Sequence, residues 1–129
     1  MLLSNGYEKY KAQEVNTANP VTLIIMLYSG CIKQLKLAEI AVKNKKYEDA
    51  NISFIKAQDI LMELMMSLDL RYEISNNLMS IYSFLNEEIV RMNLQKNTEK
   101  ISSVIKILSD LRESWTSIEK EYKPVEYVD

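Results

Sequence analysis

The chain has 129 residues, 47% of them hydrophobic and 26% charged, with a formal net charge of −2 and a pI near 5.3. That length supports one real core and not two, and the acidic balance argues against a general nucleic-acid binder, which needs a basic face to neutralise phosphates. A single cysteine, Cys31, excludes an internal disulfide and fits a reducing cytoplasm, while the absence of histidine removes the commonest transition-metal ligand and the usual acid–base group at neutral pH.

Residues 1–18 intersperse Leu2, Leu3, Tyr7, Tyr10 and Val15 with polar side chains. Tyr7 and Tyr10 are three apart and share a face in a helix. A short helix from about Asn5 to Gln13 is expected to dock on the rest of the chain, because so short a helix is marginal alone. The polar Asn16-Thr17 break separates this arm from the first long helix, expected over about Pro20 to Lys43. Asn19 is suited to cap it, and Pro20 sits where a missing N–H costs nothing. Leu23, Ile24, Met26, Leu27, Tyr28, Cys31, Ile32, Leu35, Leu37 and Ala38 spread over far more than the roughly 100° arc of a surface helix. This helix should therefore be covered nearly all round. Gly30 lies in its middle, where it costs about 1 kcal/mol relative to Ala, and marks a close helix crossing. The longest apolar run, Val21 to Ile32, is well short of the roughly 18 residues of a membrane span, and no signal-peptide pattern opens the chain. Neither insertion nor export by the usual signal is expected.

Asn44-Lys45-Lys46 reads as a polar turn, and Lys43, Lys45 and Lys46 as a solvated helix end where cations suit the dipole. Tyr47, Ala50, Phe54, Ala57, Leu61, Leu64 and Leu68 then recur at helical spacing, predicting a second helix over about Tyr47 to Leu68. Met62, Met65 and Met66 widen its apolar face, either as core filler or as a surface that adapts to a partner. After a turn at Asp69-Leu70-Arg71, the stripe Ile74, Leu78, Ile81, Leu85, Ile89 and Met92 predicts a third helix, with Tyr82 and Phe84 off the stripe. Asn93 to Thr98 is polar, and Asn97 or Thr98 can cap a fourth helix. That helix carries Ile101, Val104, Ile105, Leu108, Leu111, Trp115, Ile118 and Tyr122 and stops before Pro124. The tail 124–129 has no periodicity and reads as loose.

Turns of a few residues force each helix to run antiparallel to the one before it. The predicted architecture is an all-α, up-down-up-down four-helix bundle with a short N-terminal arm. It forms one domain over 1–129, divided into an arm at 1–18, a bundle at 20–122 and a tail at 124–129. No Glu-x-x-His pair, P-loop, dinucleotide turn or calcium loop occurs, and Glu87-Glu88 and Asp59 with Glu63 read as solvated faces. No catalytic residue, metal ligand or cofactor site is assigned, and an enzyme is not expected. Binding remains. Ile24, Tyr28, Ile32, Ile55, Met62 and Met66 exceed what a bundle of this size needs inside, and the arm or a partner's helix laid in a groove would cover them.

The residues also carry a resemblance. Tyr7 and Tyr10 with Lys11, Val15-Asn-Thr-Ala18 and Pro20, and Met26-Leu-Tyr28 with Gly30 and Ile32 open a series at family spacing. It continues through Lys56-Ala-Gln-Asp-Ile60, Glu63-Leu64, Ser67-Leu-Asp69, Glu73-Ile-Ser75, Asn77-Leu78 and Ile81-Tyr82 to Leu111-Arg-Glu-Ser-Trp115. In this ordered set the sequence resembles the FliS family of flagellar secretion chaperones, over about residues 7 to 115. Asn19 stands where the family often has Ser, and Ser29-Gly-Cys31 where it often has Asp-Gly-Ala; Asn still caps, and Cys31 is a small apolar substitute. The resemblance implies an antiparallel helical bundle in the cytoplasm that wraps the disordered C-terminal segment of flagellin, one to one. It would block premature polymerisation and deliver the client to the cytoplasmic domain of the membrane export gate. By motif position, Ile24, Tyr28, Ile32, Leu78 and Tyr82 are the expected flagellin-groove residues. Tyr7, Tyr10 and Val15 are the expected N-terminal cap or export-gate contact. No nucleic acid is implied, and the free protein should be a monomer or weak dimer. A structural bundle that dimerises through its surplus apolar surface is the competing reading, and a helix-turn-helix regulator is disfavoured by the long helices and the lack of a basic recognition helix.

Overall fold

The computed structural model describes residues 20–121, which form four helices: α1 Pro20–Lys43, α2 Tyr47–Met66, α3 Glu73–Gln95 and α4 Ile101–Glu121. Among the described residues there is no strand. The order around the bundle follows from what touches what. Helix α1 packs most heavily on α2 and next on α4, α2 packs on α3, and no diagonal pair approaches at the backbone. Cross-helix contacts set the directions. The Cys31 thiol donates to the Ala57 carbonyl between α1 and α2, Asn93 Nδ2 donates to Asn51 Oδ1 at 2.8 Å between α3 and α2, and Arg112 donates to Ser29 Oγ at 3.2 Å between α4 and α1. Thr22, in the first turn of α1, bonds Glu119, in the last turn of α4. Each neighbour is therefore antiparallel, as short turns require.

Two of the three connections lie at one end of the bundle and are built alike. In the α1–α2 turn Lys46 N–H returns to the Ala41 carbonyl at 2.8 Å and Lys45 N–H to that of Val42 at 3.0 Å. In the α3–α4 turn Asn97 N–H returns to Met92 at 3.1 Å and Lys96 N–H to Asn93 at 3.4 Å. This crossed pair of bonds closes a helix when the residue after it turns left-handed. Here that residue is a lysine both times, with φ of 58° at Lys45 and 49° at Lys96. Asn97 Oδ1 then accepts from Glu99 N–H at 2.9 Å within the turn that precedes α4, so the bond lies ahead of the helix and not at its cap. The α2–α3 link, residues 67–72, lies at the opposite end with the start of α1 and the end of α4. We call this the far end. Helix α2 stops at Met66, one half-turn short of the predicted Leu68, because Ser67 Oγ bonds the Leu64 carbonyl and helps end the helix. The cap at Asn19, the arm at 1–18 and the tail at 124–129 lie outside the described residues, as does Tyr122 of the fourth stripe.

The core is one continuous cluster contributed by all four helices, from Leu27, Tyr28, Cys31, Ile32, Leu35 and Ala38 of α1 to Ile101, Val104 and Leu108 of α4. Small residues on α1 and α2 let the two backbones approach. A Cβ added at Gly30 would lie 3.3 Å from Ile60 Cδ1, which accounts for the glycine in mid-helix. By length and composition α1 is apolar enough to cross a membrane. In the bundle its apolar residues pack against α2 and α4.

Candidate binding seam between α3 and α4

Helices α3 and α4 touch least of all neighbouring pairs, and burial along each shows where they part. On α4, Ile101, Val104 and Leu108 near the turn are buried. Further along the same stripe Leu111 and Trp115 are half-buried, and Ile118 is 48% exposed. On α3, Met92, Ile89 and Leu85 are buried, whereas Ile81 is half-buried and Ile74 is 64% exposed. Both stripes keep their apolar sequence while losing their cover. Ile74, Leu78, Ile81 and Leu85 follow i, i+4, i+7, i+11 on the side of α3 turned to α4; Ile107, Leu111, Trp115 and Ile118 line the facing side of α4. The result is an apolar seam, closed at the short turn and spread at the far end.

Beneath the seam lies a buried polar pair. Tyr28 of α1 and Tyr82 of α3 point at each other across the core with their rings 6.3 Å apart and tilted by 55°, and their hydroxyls share a hydrogen bond. Burial pushes the Tyr82 hydroxyl far above its ordinary range, helped by the bond to Tyr28. Burial raises Tyr28 as well, opposed by its bonds to Tyr82 and to the Trp115 indole. The tyrosine pair thus ties α1 and α3 together at the level where the seam begins to open. Burial also pushes the Cys31 thiol up to about 12, so it stays protonated and unreactive.

These positions differ from the expected ones in an informative way. Of the expected groove residues, Tyr28, Ile32, Leu78 and Tyr82 are buried in the core, and Ile24 packs against it. Tyr82, expected off the third stripe, is almost fully enclosed, while Ile74, expected on it, is among the exposed residues. The 3.6-residue period cannot distinguish them, since a stripe continues whether or not a partner helix covers it. The surplus assigned to α2 does lie outside: Ile55, Met62 and Met66 are exposed together with Ile52, on the face opposite Ala57 and Leu64. Met65 instead packs on the core. Tyr7, Tyr10 and Val15 fall outside the described residues. Among the described residues, no group of His, Cys, Asp or Glu could hold a metal ion.

A helical bundle with an apolar seam and a buried, unreactive cysteine has the features of a protein-binding module. Comparison with known proteins names the kind. A family model described as "Flagellar protein FliS" matches residues 3–122. The chain is 35% identical over 124 residues to the flagellar secretion chaperone FliS of Bacillus subtilis, covering 95% of this chain and 93% of that one. It is 28% identical over 116 residues to the FliS of Campylobacter jejuni, covering 88% and 90%. A crystal structure of a bacterial flagellar chaperone shares its fold with a TM-score of 0.76 at 21% identity, over 91% of this chain and 97% of that chain. The chain belongs to the FliS family of flagellar secretion chaperones.

Proposed function

We propose that this protein is a cytoplasmic flagellin chaperone that holds the disordered C-terminal segment of flagellin as helix on its apolar surface, one to one. The observation that carries this reading is the α3–α4 seam, whose two walls keep an apolar stripe past the point where the bundle covers it. A client helix laid there buries Ile74, Ile81, Leu111, Trp115 and Ile118 in the way a partner helix fills a groove. Ordering the client costs conformational entropy, so the apolar contact must be large. Tyr28, Tyr82 and Leu78, with Ile24 and Ile32, act as the floor that keeps the seam in shape. Masking the client prevents early polymerisation, and the loaded bundle is then delivered to the cytoplasmic domain of the export gate. No catalytic step is needed, and no cofactor enters this reading.

The chain enters α1 at Pro20, at the far end where the seam is widest, because Thr22 bonds Glu119 there. We assign Tyr7, Tyr10 and Val15 to a cap over the seam or to the export-gate contact. Removing residues 1–18 would then raise the affinity for client.

The test is calorimetric titration of the full chain with a peptide of about forty residues from the C-terminus of a flagellin of the same organism, a length that allows helices to form on a groove. The expected result is a one-to-one complex with a markedly negative heat-capacity change. No heat and no co-elution with a folded protein would refute the reading, and sedimentation as a dimer would put the self-associating bundle in its place.

A further inference from the structure

Charge is not spread evenly along the bundle. Lys43, Lys45, Lys46, Lys96 and Lys100 outnumber Glu48, Asp49 and Glu99 at the end with the two short turns, whereas Asp69, Glu73, Glu113, Glu119 and Glu121 outnumber Arg71, Arg112 and Lys120 toward the far end. The borders of the seam follow the same rule. Glu73 and Glu88 flank its α3 wall, and Asp110 and Glu121 flank its α4 wall, each next to the apolar stripe in helical spacing. The cations on these helices and the adjoining link are mostly engaged: Arg71 bonds Asp69 at 2.6 Å, Arg91 bonds Glu88 at 2.5 Å, Lys106 bonds Asp110 at 3.1 Å and Arg112 donates to Ser29 Oγ, while Lys120 is exposed beside Glu121. Glu73 and Glu121, at the open end, are exposed and make no ion pair among the described residues.

We propose that the seam selects an apolar helix flanked by lysine or arginine, with Glu73 and Glu121 as the selecting groups; this rests on the seam being the client site. The occupant's chemistry follows from complementarity. Its apolar face meets Ile74, Ile81, Leu111 and Ile118, while its two polar edges meet carboxylates. A helix with acidic edges would set like charges against both walls, which costs affinity, whereas cationic edges speed encounter and fix register. Exposed pairs contribute little individually, so the effect is one of discrimination between clients of equal apolar content.

The experiment uses two synthetic helical peptides of about twenty residues, roughly the length of the seam-forming helices at 1.5 Å per residue. They share one Leu/Ile/Val face and differ only in carrying Lys or Glu at every edge position. Each is titrated into the full chain with the emission of Trp115 as readout, since it is the chain's one tryptophan and lies in the seam. The Lys-edged peptide is expected to bind about tenfold tighter, and raising salt from about 50 mM to about 500 mM should erase most of that difference by screening. In the Glu73→Lys/Glu121→Lys variant the preference should shrink or reverse. Equal binding of the two peptides, insensitive to salt, overturns the inference while leaving the apolar seam as a client site. Failure of both peptides to bind, or their displacement by self-association, overturns the seam reading with it. The salt series on the unaltered chain keeps the test decisive if the double variant folds poorly.

Discussion

The Tyr28–Tyr82 pair offers the sharpest check on how the core is held under the seam. Both side chains are almost completely buried, and each hydroxyl finds the other. In Tyr82→Phe the Tyr28 hydroxyl loses this partner, and in Tyr28→Phe the Tyr82 hydroxyl does. Each single change removes one buried hydrogen bond and leaves one buried hydroxyl unpaired, about 1–3 kcal/mol. The double Phe variant leaves neither hydroxyl behind, so it should cost no more than either single change, giving a coupling of about 1–3 kcal/mol between the sites. Urea unfolding followed by circular dichroism, with the slope unchanged across the four proteins, reads these values. Single costs that simply add to within about 0.5 kcal/mol would refute the argument, because independent sites behave that way.

Other outcomes follow from the same geometry. Ile74→Asp and Ile118→Asp change exposed side chains, so each should leave the urea midpoint within about 0.5 kcal/mol of the parent while abolishing capture of the flagellin C-terminal peptide by the full chain. Stability should be flat up to pH 9 and fall as pH rises toward about 12, because Cys31 is raised from 9.0 to about 12 in the folded state and the unfolded chain ionises first; the two raised tyrosines add to the loss above pH 10, and Cys31→Ala should flatten the fall between pH 9 and 10. Unfolding midpoints across that range check it. Lys96→Gly relieves a left-handed lysine that costs about 1–2 kcal/mol at the expense of a more flexible unfolded chain, so a rise of about 0.5–1 kcal/mol in unfolding free energy is expected; Lys45→Gly should do the same. Gly30→Ala adds a methyl 3.3 Å from the tip of Ile60, and the gain in helix propensity of about 1 kcal/mol should be largely offset, giving little net change in thermal midpoint, whereas Gly30→Leu should lower it clearly.

The helices themselves were legible because periodicity and polar breaks act locally. The first helix runs from Pro20 to Lys43 as expected, and the polar turn at Asn44 to Lys46 is where it was placed. Antiparallel order followed from turn length alone. What spacing could not say is which part of a stripe is covered, since that depends on how far neighbouring helices diverge, a property of the whole bundle. Ile74 and Ile89 look alike in the sequence, yet one is exposed and the other enclosed. Tyr28 and Tyr82 were expected at a groove surface, and a tyrosine is compatible with either place: its ring is apolar enough for a core, provided the hydroxyl finds a partner. Here each supplied the other, a contact between residues 54 apart that no local pattern encodes.

The gradient of burial along α4 links these points to function. A helix in a closed bundle gains from covering its whole stripe, and leaving Leu111, Trp115 and Ile118 partly bare forgoes stabilisation of about 25 cal/mol for each Å² of apolar surface left in contact with water. The fold compensates at the other end, where Ile101, Val104 and Leu108 are fully enclosed, and beneath the seam, where the Tyr28–Tyr82 hydrogen bond joins α1 and α3. On the proposed reading, a seam that is apolar and floored by buried side chains would be formed before the client helix arrives, so the client would pay chiefly its own ordering entropy. That division also predicts where variation is tolerated. Floor substitutions such as Tyr28→Phe should weaken folding first and binding as a consequence, whereas wall substitutions such as Ile118→Asp should remove binding from a bundle that still folds.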